Sequence, residues 1–166
     1  MTSIEVLWNG WRANYVGAER DAGASVFTQI FTSGLPDTDT HIVYRSSTCC
    51  AIMNAYPYAA GHLLVVPYRE VPSLIKLTDE EHIDLWVTVR DGVQAIESEY
   101  APAGVNVGIN MGAAAGGSIG EHLHVHVVPR WVGDSNFMTA VAGTRTIPEA
   151  LDRSADRLRR SWPRSS

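Results

Sequence analysis

The chain has 166 residues, about one domain in length, enough to bury roughly two-thirds of its unfolded surface. With 45% hydrophobic and 19% charged residues it is composed like an ordinary globular protein, and a net charge of −5 argues against a general binder of nucleic acid or of anionic membranes. No apolar run approaches the ~18 residues of a membrane span, and "MTSIEVLWNGWR" at the N-terminus lacks the basic start and apolar core of an export signal. A cytoplasmic location is therefore expected. Cys49 and Cys50, the only cysteines, are adjacent, so they point to opposite sides of a strand and make a poor disulfide or metal pair. They read as half-buried thiols in a reducing compartment.

In chain order, residues 1 to 38 carry the weakest pattern: Trp8, Trp11 and Tyr15 sit at loose helical spacing, and "TSGLPDTDT" reads as an exposed turn region. From Thr40, "HIVYRSS", "CCAIMNAYP" and "HLLVVPY" are three short β-rich segments separated by polar or Pro/Gly punctuation. "TDEEHIDLWVTVRDGVQAIESEY" then opens with Thr78 as N-cap and Glu81 three residues on, a capping box. Ile83, Leu85, Trp86, Val89, Val93 and Ile96 follow along one helical stripe, predicting a long central helix. "GVNVGINM" and "HLHVHVVPR" are two further strands, joined by the Gly/Ala-rich "GAAAGGSIGE". "IPEALDRSADRLRRSW" predicts a C-terminal helix over 145–162, with Ile147, Leu151 and Leu158 at helical spacing, Pro148 in the first turn, and a basic end suited to the helix dipole. No repeat or linker divides the chain, so one domain over 1–166 is expected. Segregated strands and helices imply an α+β fold with an antiparallel sheet of about five strands.

The chemistry concentrates in "GGSIGEHLHVHVVPRW". In a strand, residues i, i+2 and i+4 share a face, so His122, His124 and His126 form a row while Leu123, Val125 and Val127 pack on the other side. Three histidines and a water make a catalytic zinc arrangement; a nucleophile with two supporting imidazoles is the other option. The preceding loop favours the second, because Gly116, Gly117 and the Ser118 hydroxyl present N–H and O–H donors that suit an anion such as phosphate.

The motif His122-Leu-His124-Val-His126-Val-Val128, followed by Pro129 and Arg130, resembles the signature of the histidine triad superfamily of nucleotide hydrolases and transferases. "NAYPYAAGHLLVVPYREV", residues 54 to 71, resembles the second block of that superfamily, and the likeness covers residues 40 to 135, leaving 1–38 as a divergent N-terminal segment. The resemblance implies that His124 is the nucleophile, attacking the α-phosphorus of a nucleotide to give a nucleotidyl-histidine. A neutral imidazole suits that role near neutral pH. It implies that His126 sits beside the phosphate or leaving oxygen, with His122 and His62 in the supporting hydrogen-bond shell. Asn54 falls at the position that meets the ribose hydroxyls, and Asn110 near a phosphate-contacting Gln; Asn106 is read as structural.

Bacterial relatives of the superfamily hold zinc with Cys-x-x-Cys, a histidine of the second block and the first triad histidine. Here Ser25 and Thr28 stand at the cysteine positions and Glu70 at the histidine position, so no structural zinc is expected, and the N-terminal segment is expected to be held by packing through Trp8, Trp11 and Phe27. Any Mg2+ would arrive with a polyphosphate substrate. The run through Trp131 most resembles the diadenosine tetraphosphate phosphorylases of actinobacteria, which implies an adenine dinucleotide substrate and inorganic phosphate as second acceptor. A dinucleotide or nucleoside phosphoramidate hydrolase and a non-catalytic nucleotide sensor are the competing readings. The resemblance also implies a homodimer or homotetramer. Trp131 is read as buried or at a subunit contact, Arg130 as an anchor for the strand end, "RLRR" as a solvated helix face, and His41 and His82 as surface or supporting residues.

Overall fold

The computed structural model describes residues 5–6, 23–115, 119–134, 144–145 and 149–163. The elements are β1 (Glu5–Val6), α1 (Val26–Thr32), α2 (Asp37–Thr40), β2 (Ile42–Arg45), β3 (Cys49–Met53), β4 (Leu63–Pro67), a 3-10 turn at Leu74–Lys76, α3 (Asp79–Tyr100), β5 (Gly104–Ile109), β6 (Val125–Arg130), β7 (Thr144–Arg145) and α4 (Leu151–Ser161). Strands β2-β3-β4-β6-β5, in that order, make a five-stranded antiparallel sheet, and β1 pairs with β7 in parallel. The fold is α+β, with each strand of the main sheet lying within its β-rich segment.

Strands β3 and β4 are buried along their whole length, which is why "CCAIM" and "LLVVP" read as continuous apolar runs rather than as alternation. Their odd and even residues serve two cores. Cys49, Ala51, Met53, Leu63, Val65, Val125 and Val127 pack with Leu85, Val89 and Ile96 of α3 and Leu158 of α4. Cys50, Ile52, Leu64 and Val66 pack on the other face with Phe27 and Ile30 of α1. Cys49 and Cys50 thus lie on opposite faces, both buried and unbridged. Each fully buried aliphatic side chain in these cores contributes about 1.5–3 kcal/mol of transfer free energy.

Helix α3 carries the capping box at Thr78 and Glu81, but its buried stripe is Leu85, Thr88, Val89, Gly92, Ala95 and Ile96. Ile83 and Trp86, expected on the stripe, lie off it and are exposed, whereas Leu85, Val89 and Ile96, also expected there, are buried. Helix α4 opens at Leu151 rather than at 145, and Ile147 and Pro148 lie outside the described residues. Its basic residues are not a simple solvated face: Arg157 bonds Glu99 and Glu149, and Arg159 donates to the carbonyls of Ile42 and Asp37. They tie the helix to the rest of the fold.

Among the described residues the N-terminal region holds two short helices that the sequence pattern did not reveal. Ser25 caps α1, and α2 forms within the stretch expected to be a turn. Trp8, Trp11 and Tyr15 lie outside the described residues. His41 is buried rather than superficial and pairs with Asp152, whereas His82 is exposed. Among the described residues no helix is long and apolar enough to cross a membrane.

Candidate active site

Strand β6 begins at Val125, so His122, Leu123 and His124 lie in the extended segment leading into it and not within the strand. The alternation still holds across that boundary. Leu123 joins Val125 and Val127 in the α3 core, while the rings of His122 and His124 both lie 5.4 Å from that of Phe27 on the opposite face. The Leu123 N–H donates to the Val71 carbonyl, which anchors the segment where ladder pairing is missing. The His124 and His126 rings are 5.0 Å apart, and their row runs along the face shared with Leu64, the partner of His126 in the register.

The hydrogen-bond partners fix the proton on each ring. His122 Nε2 sits 2.8 Å from the Pro67 carbonyl, which can only accept, so Nε2 carries the hydrogen and Nδ1 must accept, from the Ser25 hydroxyl at 2.5 Å. His124 Nδ1 sits 2.8 Å from the His122 carbonyl and so donates to it, leaving the Nε2 lone pair of His124 uncommitted among the described residues. The Tyr58 N–H donates to His62 Nδ1 at 3.0 Å, so His62 Nε2 donates to His126 Nδ1, also at 3.0 Å. The remaining hydrogen of His126 is on Nε2, which is buried and has no hydrogen-bond partner among the described residues. Burial, with a smaller push from His124, depresses the His126 pKa to about 4, so the ring stays neutral near pH 7. Burial lowers His122 as well. One imidazole thus presents a lone pair and its neighbour presents an N–H, the pair of groups that an in-line displacement at phosphorus requires.

His62 reaches the row from a turn rather than from β4. Gly61, with φ of 80°, ends that turn, and a Cβ there would come within 2.8 Å of the Tyr100 ring. Asn54 closes the other side of the turn: its N–H donates to the His62 carbonyl and its Oδ1 accepts from Tyr56 N–H. Tyr58 stacks on His126 with 13° between the ring planes and 5.9 Å between centroids. Asn110 follows β5; Gly108 pairs with His126, so the register continued by two residues sets Asn110 across from His124. Asn106 Oδ1 accepts from Arg130, which also pairs with Asp134, so both residues brace the end of β6. Trp131 is half-buried, edge-on to Tyr100. Gly116, Gly117 and Ser118 lie outside the described residues.

Ser25, Thr28, Glu70 and His122 meet in one cluster. Ser25 N–H and Thr28 Oγ1–H both donate to Glu70 Oε2, at 3.0 and 2.9 Å, and Thr28 N–H donates to Ser25 Oγ. Those donors hold the Glu70 carboxyl below the ordinary carboxylate range, the Ser25 N–H first among them. Among the described residues no three His, Cys, Asp or Glu side chains are grouped so as to hold a metal ion.

The sequence of residues 36–132 matches the HIT domain model. The chain belongs to the HIT family. Its likeness to the AP-4-A phosphorylase of Mycobacterium tuberculosis is 41% identity, covering 97% of this chain and 86% of that protein. The asymmetrical bis(5'-nucleosyl)-tetraphosphatase of Schizosaccharomyces pombe is 38% identical over 64% of this chain and 57% of its own. Among solved structures, a Zn-bound histidine triad protein of Mycobacterium smegmatis superposes with a TM-score of 0.67 at 26% identity, covering 83% of this chain and 92% of that one.

Two contributions to the candidate site are not evident in the sequence. Tyr58 is the backbone donor that sets the His62 tautomer and the ring stacked on His126; its signal was an aromatic residue inside the turn block before His62. Ser25, Thr28 and Glu70 were seen only as missing metal ligands, although the spacing that placed them at those positions already implied that they meet.

Proposed function

We propose that this HIT protein transfers a nucleotidyl group through His124, with diadenosine tetraphosphate as substrate and inorganic phosphate as second acceptor, giving ADP and ATP. The observation that carries the reading is the tautomer pair: among the described residues, a free lone pair on His124 Nε2 beside an unpartnered N–H on His126 Nε2. The lone pair attacks the α-phosphorus; an N–P bond forms, the bridging P–O bond breaks, and ATP leaves with its electron pair. The charge that develops on the His124 ring faces the His122 carbonyl, while His126 Nε2–H meets the negative charge building on the phosphoryl or leaving oxygen. A phosphate oxygen then attacks the nucleotidyl-histidine, the N–P bond breaks, and ADP leaves with His124 restored.

Asn54 is assigned to the ribose and Asn110 to the phosphate on their positions at the two sides of the histidine row, and Gly116, Gly117 and Ser118 to the anion on their composition. Phosphate as acceptor is supported by the likeness to the M. tuberculosis phosphorylase over nearly the whole chain. Any Mg2+ belongs to the substrate. Incubation of the protein with diadenosine tetraphosphate, with and without phosphate, tests the reading: ADP plus ATP, formed only with phosphate, is expected. AMP plus ATP at a rate indifferent to phosphate would make it a hydrolase, and tight binding without turnover a sensor. A homodimer or homotetramer that covers the exposed β5 edge, where Val107 is 43% exposed, is the assembly assigned here, and sedimentation tests it. The buried free thiols favour a reducing cytoplasm.

A further inference from the structure

We propose that Ser25, Thr28 and Glu70 form a metal-free clasp that positions the nucleophile, acting on His124 through His122. The chain of contacts is continuous. Glu70 accepts from Ser25 N–H and Thr28 Oγ1–H and so fixes the first turn of α1. Ser25 Oγ, held as the N-cap by Thr28 N–H, points its own hydrogen at His122 Nδ1. That bond and the Pro67 carbonyl grip the His122 ring at both nitrogens, and Phe27 packs edge-on against it. The backbone carbonyl of the ring thus held is the one that takes the His124 Nδ1–H and frees Nε2 for attack.

By the resemblance these four positions correspond to the zinc ligands of Cys-x-x-Cys relatives, and this donor set does not suit that ion. Ser25 and Thr28 supply neutral hydroxyls in place of thiolates. Both His122 nitrogens are engaged, Nε2 by a carbonyl and Nδ1 by a hydroxyl that donates to it. A carboxylate paired with two short hydroxyl side chains does by hydrogen bonding what a metal would do by coordination: it joins α1 to the segment before β6. Helix α1 is therefore held by more than the packing of Phe27, and Ser25 is a positioning residue for the transfer reaction.

The proposal rests on His124 being the nucleophile, so one readout is independent of turnover. Ring 15N spectra of the full-length protein report the tautomers, while kcat and KM are measured with diadenosine tetraphosphate and phosphate. Ser25→Ala is expected to blur the Nε2–H pattern of His122 and to lower kcat about 10–100-fold with little change in KM. Ser25→Thr, which keeps a hydroxyl at the cap, is expected to restore both. Wild-type kcat with an unchanged His122 pattern in Ser25→Ala, or equal losses in Ser25→Ala and Ser25→Thr, would overturn the clasp. If Ser25→Ala does not fold, Glu70→Ala, at a half-buried side chain, decides by the same two readouts. A His124→Ala protein that keeps turnover would sink the nucleophile instead, and the 15N pattern of His122 would still judge the clasp.

Discussion

At the scale of single residues the candidate site is a set of four imidazoles, each with its proton placed by a partner that leaves no choice. A backbone carbonyl can only accept and a backbone N–H can only donate, so Pro67, His122 and Tyr58 set three tautomers, and the fourth follows from its neighbour. His126 is the end of one such chain, and its depressed pKa keeps it a neutral donor. His126→Ala is expected to lower kcat by about 10²–10⁴-fold. His126→Gln, whose amide still offers an N–H, is expected to lose less, and steady-state kinetics on the two variants would show equal losses if the N–H were not what matters. The row of histidines was legible in the sequence because alternation survives outside the strand. The protonation states were not, since they depend on Ser25 and Pro67, which are 97 and 55 residues away from His122.

At the scale of elements, helix α3 shows what sequence reads well and what it does not. The capping box at Thr78 and Glu81 is a local contact and was legible as such; the buried stripe is a tertiary matter, decided by which side of the helix packs against the sheet and α4. Ile83 and Trp86 are apolar yet exposed while Thr88, Gly92 and Ala95 are buried, so hydrophobicity alone misplaced the stripe by about a quarter of a turn. Helix α1 escaped notice for a related reason: at 7 residues it is too short to show a period, and it exists because Ser25 caps it and Phe27 and Ile30 enter the second core. Removing the α3 cap by Thr78→Ala leaves the Glu81 N–H without its partner and is expected to cost about 1 kcal/mol of stability, seen as a lowered Tm, with kcat and KM unchanged. An unchanged Tm would show that α3 is held by its packing alone.

At the scale of the whole molecule, the sheet places a polar row on one face of an otherwise apolar sandwich, and burial of that row makes stability depend on pH. The unfolded His126 takes up a proton near 6.5, but the folded one only at about 4, and His122 is shifted in the same direction. The unfolded state therefore binds more protons between those values, so this part of the stability is present above pH 6.5 and is lost as pH falls toward 4. Glu81, held down to about 2 mainly by its bond from Arg69, adds a second loss that starts below its ordinary 4.5. Tm is expected to decline as soon as pH drops below 6.5; a Tm that stayed flat until the carboxylates titrate would contradict the burial of His122 and His126 as neutral rings. The central claim, that His124 Nε2 is the atom that takes the nucleotidyl group, is tested most directly by alkaline rapid quench of the reaction with diadenosine tetraphosphate in the absence of phosphate, followed by peptide mass spectrometry. An AMP adduct confined to His124, lost on adding phosphate, is the predicted result; an adduct on His122, His126 or His62, or full turnover with no adduct at any time, would contradict it.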